Sequence, residues 1–543
     1  MSSSLPSRPP SVLGDAEPAT PDSVGPVAPP RPRSIERPDG LLPALHTLGS
    51  LREPYLIPLI LLLATRAWFW RLLPFAGEDA YITYRYSRNL VRGLGLVYNP
   101  GEHVMGFSSS LWVIWNAIGY FLLHDPVLWS RTSTIGLEAL TILVGGGIML
   151  RHGGRAAAWL FNVFLATWSF FAAVAVSGME TPAFFSLIVL AAALAERRSR
   201  ATGAALAAVA LIRPEGLVAA LVIGLLASPR DRLLAAGIVT LAYLALWRYF
   251  GTVVPQSVVA KASTYGLHGA VAGRSWWEWL CPFPLGAWPS TSEGSVLFAM
   301  AVLTGPAAVL GALSLWRLRG TSVAHALAAS VAVWMGYAGL GVAYFAWYLV
   351  VPLAGVAGLV ALGLPRLVRG RAIYVSLGLF VAGTWTIAPT LYSDRAGAER
   401  VCFGATAEYL AKNARGGEKV LLEPIGMVGW RCNLVIRDEV GLVTPQASTR
   451  RRGGPGWMTD LVAAERPDWI VTRQGVLRTG KAFAGRGDPF RNDGERDSLL
   501  ARYSVVTVIE QQAGDVALAI LHRNAMQDHL IGSLWPPSSP STP

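Results

Sequence analysis

The sequence predicts an α-helical polytopic membrane protein of about eleven crossings, followed by a soluble α/β domain outside the membrane. Three observations predict it. Of the 543 residues, 52% are hydrophobic and only 15% charged, against ~25% charged in a soluble domain. Apolar segments of spanning length recur from Pro54 to Pro389, and the dense arginine clusters between them fall on one side when the segments are threaded in order, the positive-inside pattern. From about Ser393 charges and turns become frequent and the apolar runs shorten to strand length.

The elements follow in order. Residues 1–50 are rich in Pro, Ser and Ala and are expected to form a disordered cytoplasmic tail. They contain no apolar h-region, so no cleaved signal peptide is expected there. Residues 51–392 form the membrane domain. Its first crossing runs from about Pro54 to Pro74, and residues 75–112 then make a first outer loop. Ser109 to Leu123 is apolar but short and is read as re-entrant or interfacial, with a true crossing left open. Thr132–Leu150, Ala157–Val176 and Ala183–Ala195 continue the series. Thr202–Ile212 and Gly216–Ala227 are short helices flanking Arg213-Pro214-Glu215, which places that ion-bearing turn in a cavity below the outer surface. Leu233–Phe250, an outer loop to about Gly294, Ser295–Trp316, Val323–Gly341, Leu349–Leu364 and Ala372–Pro389 complete the membrane domain. Residues 393–525 form the outer α/β domain. Its strands are expected at Lys419–Leu422, Leu434–Ile436, Trp469–Val471 and Val505–Ile509, and its helices at Val401–Asn413 and Met458–Glu465. Residues 526–543 form a second disordered tail.

The net charge of +12 raises nucleic acid as a partner, but the arginines sit at the ends of apolar segments, and no nucleic-acid motif accompanies them. The 20 tryptophans suit two membrane–water interfaces. The three cysteines contain no CxxC. Cys281 falls in an outer loop. Cys402 and Cys432 either form a bridge closing about thirty residues or remain buried thiols.

The chemistry-bearing stretch is Glu78–Trp112, EDAYITYRYSRNLVRGLGLVYNPGEHVMGFSSSLW. It opens on two carboxylates, Glu78 and Asp79. A carboxylate at the mouth of a membrane cavity can act as a general base or bind a divalent cation, and acids also suit a helix N-terminus. Tyr81, Arg85 and Arg88 share a helical face behind them, and His103 follows a turn at Asn99-Pro100-Gly101. Arg213 needs an anion: Glu215, Glu180 or a phosphate, which guanidinium clamps well. Glu180 lies in the Ser177–Pro182 turn and also suits the start of the next helix. Lys261 is either a solvated lysine or a further phosphate ligand. Tyr344 and Tyr348, in the run Tyr344-Phe345-Ala346-Trp347-Tyr348, belong to an interfacial belt or to a sugar platform. All these groups fall on the outer side of the expected topology.

The Glu78–Trp112 stretch resembles the first outer loop of polytopic GT-C glycosyltransferases, and is most similar to the branch of terminal β-1,2-arabinofuranosyltransferases. SGMETPAFF and ALIRPEGL resemble the same branch, and the resemblance extends from about Pro54 to His522. It implies transfer of a sugar, arabinofuranose among the candidates, from a polyprenyl-phosphate donor to a glycan, lipid or protein acceptor on the outer face of the cytoplasmic membrane. It maps the catalytic acid onto Glu78-Asp79, with Asp79 favoured. Arg213, Lys261, Arg85 and His103 are then candidates for the donor phosphate, and Glu180, Glu215, Tyr344 and Tyr348 for sugar or acceptor. No cofactor is assigned, and a divalent cation is a candidate. A transporter or flippase of polyprenyl-linked sugars is the alternative. It calls for internal repeats and broken helices at the midplane. A non-catalytic scaffold would leave Asp79 and Arg213 without a role.

Overall fold

The computed structural model describes residues 52–73, 75–265, 292–340, 342, 345–398, 402–481, 487–510 and 517–524. Tyr344, Cys281, the tryptophans between 276 and 288, and both tails lie outside the described residues. Residues 49–543 form one compact unit.

The first eleven helices run α1 Ile57–Leu72, α2 Glu78–Val91, α3 Ser110–Leu123, α4 Pro126–Gly153, α5 Arg155–Thr167, α6 Ser169–Val176, α7 Thr181–Glu196, α8 Thr202–Ile212, α9 Gly216–Gly224, α10 Pro229–Phe250 and α11 Gln256–Tyr265. Two of their starts are written in the sequence. Asp125 caps α4 by accepting from the Val127 and Leu128 amides, both at 3.0 Å, and Pro126 follows it. Ser228 and Pro229 begin α10 in the same way. Such a side chain satisfies amides that the first turn leaves without partners, and proline at the first position gives up an amide that has no use there.

Among the described residues five helices are long and apolar enough to cross a membrane: Pro54–Leu72, Pro126–Gly153, Pro229–Phe250, Ser322–Leu340 and Trp347–Leu367. The pair α5 and α6, bent by 54°, makes a sixth if it is one span. Each falls on an expected crossing. The other expected crossings fall on shorter apolar helices, α7, α8, α9 and Thr304–Leu315, or on the Arg371–Ala398 helix. The Ser292–Leu315 and Val350–Leu367 helices meet backbone to backbone: a Cβ on Gly311 would lie 2.0 Å from the Leu359 carbonyl oxygen. Small residues at such crossings permit close packing where no hydrophobic force acts between helices.

One buried ion pair ties the spans together and was not visible from the sequence. Arg66 of α1 makes two parallel bonds to Glu138 of α4, at 2.8 and 3.0 Å, and donates to the carbonyls of Leu165 and Ala166. Its donors are thereby satisfied inside the helix bundle, which is how a guanidinium is tolerated there.

The C-terminal third carries a five-stranded sheet in the order β2-β1-β3-β5-β4, with β1 Lys419–Leu422, β2 Val435–Asp438, β3 Trp469–Arg473, β4 Tyr503–Ile509 and β5 Leu518–Arg523. β1 is parallel to both β2 and β3, and β5 is antiparallel to β3 and β4. The Gly404–Asn413 and Trp457–Glu465 helices lie where helices are expected. β5 was missed, although it is an interior strand. Its run LAIL is buried and its end is not, so it lacks the alternation that marks a half-buried strand. Cys402 and Cys432 are both buried and are not bridged to each other. Cys432 donates to the Ala407 carbonyl, and burial pushes its thiol up to about 11.

The sheet sits against α2. The Ile425–Arg431 helix packs on α2 and the turn after it through two glycines: a Cβ on Gly426 would lie 2.0 Å from the Glu78 carbonyl oxygen, and one on Gly429 would lie 1.9 Å from the Tyr98 hydroxyl. Arg85 donates to the carbonyls of Tyr98, Gly429 and Leu434. Arg88 donates to the Trp430 carbonyl at 2.6 Å. Asn99 extends the edge of β2 by bonding both the amide and the carbonyl of Ile436.

Candidate active site

The first turn of α2 sets the two carboxylates on different tasks. Gly77 precedes the helix in an extended conformation, and its amide is held by the Ser177 carbonyl at 2.8 Å. Glu78 turns to the sheet side, where its carboxylate accepts from the amides of Gly426 and Met427. Asp79, one residue on, points about 100° away around the helix. Its Oδ2 lies 2.8 Å from the Lys261 ammonium.

Lys261 comes from α11. That helix is positioned by Gln256, whose amide bonds the Met105 carbonyl and whose side chain bonds the Gly441 carbonyl. Thr264, one turn beyond Lys261, bonds the Val440 carbonyl. The ammonium stands 4.6 Å above the Phe345 ring centre and 5.8 Å from that of Trp347. Burial works against its charge, but the Asp79 carboxylate, helped by Tyr348, outweighs that cost and holds the lysine above its ordinary value.

Arg213 occupies the break between α8 and α9 in an extended conformation. It is 3% exposed. Its guanidinium bonds both Glu180 and Glu215 and lies 4.6 Å over the Tyr348 ring. Tyr337 donates its hydroxyl to Glu215 and stacks on Tyr348 at 5.4 Å. Glu180 therefore stands at the start of α7 without capping it. Its carboxylate is spent on Arg213.

The two ion clusters join through aromatic rings. Phe345 stacks on Trp347 at 4.9 Å, and Tyr348 meets both of them edge-on. Lys261 and Asp79 lie at one end of this platform and Arg213, Glu180, Glu215 and Tyr337 at the other. The arrangement offers a carboxylate that can take a proton, two cations that can face an anion, and flat apolar rings on which a sugar can stack.

The structure thus brings together Asp79, Lys261, Arg213, Glu180, Glu215 and Tyr348. It does not bring Arg85 or His103 there. Arg85 is buried against the sheet layer, and His103 stacks on Tyr249 at 4.5 Å. Glu78 is adjacent but committed to the Ile425–Arg431 helix. Tyr337 was not singled out from the sequence. Its signal is a hydroxyl inside an otherwise apolar span eleven residues before Tyr348. Among the described residues no three His, Cys, Asp or Glu side chains gather to hold a metal ion, and the acids at the platform are turned to Lys261 and Arg213.

A family model described as a domain of unknown function, DUF8728, matches residues 390–526. No curated protein matches the chain in sequence. Two solved structures of ArnT from Cupriavidus metallidurans are similar. One, bound to undecaprenyl phosphate, is 13% identical, with a TM-score of 0.53 over 86% of this chain and 98% of that one. The other, in the apo state, is 12% identical, with a TM-score of 0.55 over 85% and 97%. The arabinofuranosyltransferase AftD from Mycobacteria aligns with 86% of this chain and 41% of its own, at 15% identity and a TM-score of 0.39, too low to bear on the fold. Agreement with ArnT over nearly the whole of its chain means that this chain shares the ArnT fold.

Proposed function

We propose that the chain transfers a sugar from a polyprenyl-phosphate donor to a hydroxyl of a glycan, lipid or protein acceptor at the outer face of the cytoplasmic membrane. The observation that carries this reading is the juxtaposition of Asp79 with Lys261 beside Arg213, on the Phe345–Trp347–Tyr348 platform. Binding of undecaprenyl phosphate by ArnT supports a lipid phosphate as the donor's carrier. The sugar suggested by the sequence resemblance is arabinofuranose.

In this mechanism Asp79 takes the proton of the acceptor hydroxyl as its oxygen attacks the anomeric carbon. The bond from that carbon to the phosphate oxygen breaks, and its electron pair stays on the phosphate. The products are the glycosylated acceptor, a polyprenyl phosphate monoester with one more negative charge, and a protonated Asp79. Lys261 and Arg213 offset the charge that develops on the leaving phosphate. The platform rings hold the sugar's apolar face. Arg85 has no step here, because its donors are used by the sheet layer.

Asp79→Asn keeps the shape and removes the base, so turnover with a polyprenyl-phosphate sugar in lipid nanodiscs should fall at least ~10²-fold. Turnover near that of the unaltered protein would end the assignment. Movement of the intact donor across proteoliposomes, with no sugar transferred, would favour the transporter reading.

A further inference from the structure

Asp79 is already paired in this structure. Its carboxylate faces the Lys261 ammonium at 2.8 Å, with the two side chains 27% and 17% exposed. Lys261 is also one of the two cations that the glycosyl-transfer reading gives to the donor phosphate. The two cations differ in how they are held. Arg213 is bonded by two carboxylates, Glu180 and Glu215, and stacked on Tyr348. Lys261 has one carboxylate, and the aromatic faces of Phe345 and Trp347 lie within 4.6 and 5.8 Å of its ammonium. A ring face attracts an ammonium without consuming its hydrogen bonds, so Lys261 keeps a favourable site while its anionic partner changes.

We propose that Lys261 exchanges partners: the donor phosphate displaces Asp79 from the ammonium, and the Asp79 carboxylate is released to face the acceptor hydroxyl only when the donor is seated. This rests on the glycosyl-transfer reading. The exchange imposes an order, donor before acceptor, and leaves an empty site unable to activate a hydroxyl or a water. The acceptor proton then passes to an Asp79 that no longer faces Lys261, while the leaving phosphate, one charge more negative, keeps the lysine. When polyprenyl phosphate departs, the proton goes to solvent and Lys261 returns to Asp79.

The test is binding, not turnover. Undecaprenyl phosphate is titrated against the full chain in nanodiscs. Asp79→Asn removes the competitor for Lys261, so the lipid phosphate should bind more tightly, by about tenfold. Lys261→Met should weaken binding, and adding Asp79→Asn to it should bring no gain. A general repulsion between Asp79 and phosphate would give the same gain in both backgrounds, and the double-mutant cycle separates the two. Asp79→Ala should tighten binding as Asp79→Asn does, and thermal melting confirms that each variant is folded. Unchanged or weaker binding in folded Asp79→Asn and Asp79→Ala, or a gain that persists in Lys261→Met, overturns the exchange while leaving glycosyl transfer standing. No binding by the unaltered protein would overturn the donor assignment, and the exchange with it.

Discussion

Glu78 and Asp79 are neighbours in sequence with opposite fates. The sequence could say that both are acids at a helix start facing a membrane boundary. It could not say that Glu78 would be captured by the Gly426 and Met427 amides, because that contact joins residues nearly 350 apart. The same holds for Arg85, whose helical face looked like a phosphate site and whose partners are carbonyls of the sheet layer. Arg213 was legible as a charge in need of an anion, and the structure supplies Glu180 and Glu215, two of the three anions considered. A buried acid elsewhere gives a pH prediction. Glu439 is 6% exposed, and burial pushes its carboxyl up to about 8, against the pull of Arg451 and with Glu423 and Asp438 adding to the shift. The folded protein therefore keeps this proton where the unfolded chain, near the ordinary value of 4.5, has lost it. The stability it contributes is full below about pH 4.5 and is lost as pH rises through about 8. Asp438, raised by burial to about 6, acts in the same direction at lower pH. Glu439→Gln should melt at a temperature that falls less than the unaltered protein's between about pH 5 and pH 8.5. Parallel curves would show that Glu439 is ionised in the fold.

At the scale of elements, the sequence was most legible where length and polarity decide, in the spans and in the short helices flanking Arg213. It was least legible where packing decides. β5 reads as a brief apolar run, yet it pairs with β3 on one side and β4 on the other. The Arg66–Glu138 pair is hidden for a related reason. Each residue alone is a single charge inside an apolar segment, and only the pairing of α1 with α4 makes them one unit. Breaking it tests how far the bundle depends on it. Glu138→Ala leaves Arg66, 1% exposed, without its counter-charge, which costs about 3–5 kcal/mol. A large drop in melting temperature and yield is expected. Arg66→Met with Glu138→Leu, which removes both charges, should recover most of it. Equal losses in the single and double variants would mean that the bundle needs the pair's geometry and not only its neutrality.

For the whole molecule, the arginine distribution orients the spans, and the expectation is that the sheet layer faces the outside together with Asp79 and Lys261. Gly494, in the Asp493–Arg502 helix of that layer, gives a direct check. In a Cys281→Ser background, a cysteine placed there should react with a membrane-impermeant maleimide on intact cells, and the remaining native thiols, buried at Cys402 and Cys432, should contribute little background. Labelling only after the membrane is opened would reverse the orientation and put the candidate base on the wrong side.

The clamp that the sheet layer places on α2 has a consequence for biosynthesis. The helix bearing Asp79 is made early, within the first hundred residues. Its anchors are Gly426, Gly429, Trp430 and Leu434, and the sheet behind them is completed by β5, which ends at Arg523. The ribosome therefore delivers the candidate base hundreds of residues before it delivers what fixes its direction. Until β5 has been translated and the sheet has folded, α2 lacks these contacts, so a nascent or truncated chain can carry every residue of the platform and still lack a site.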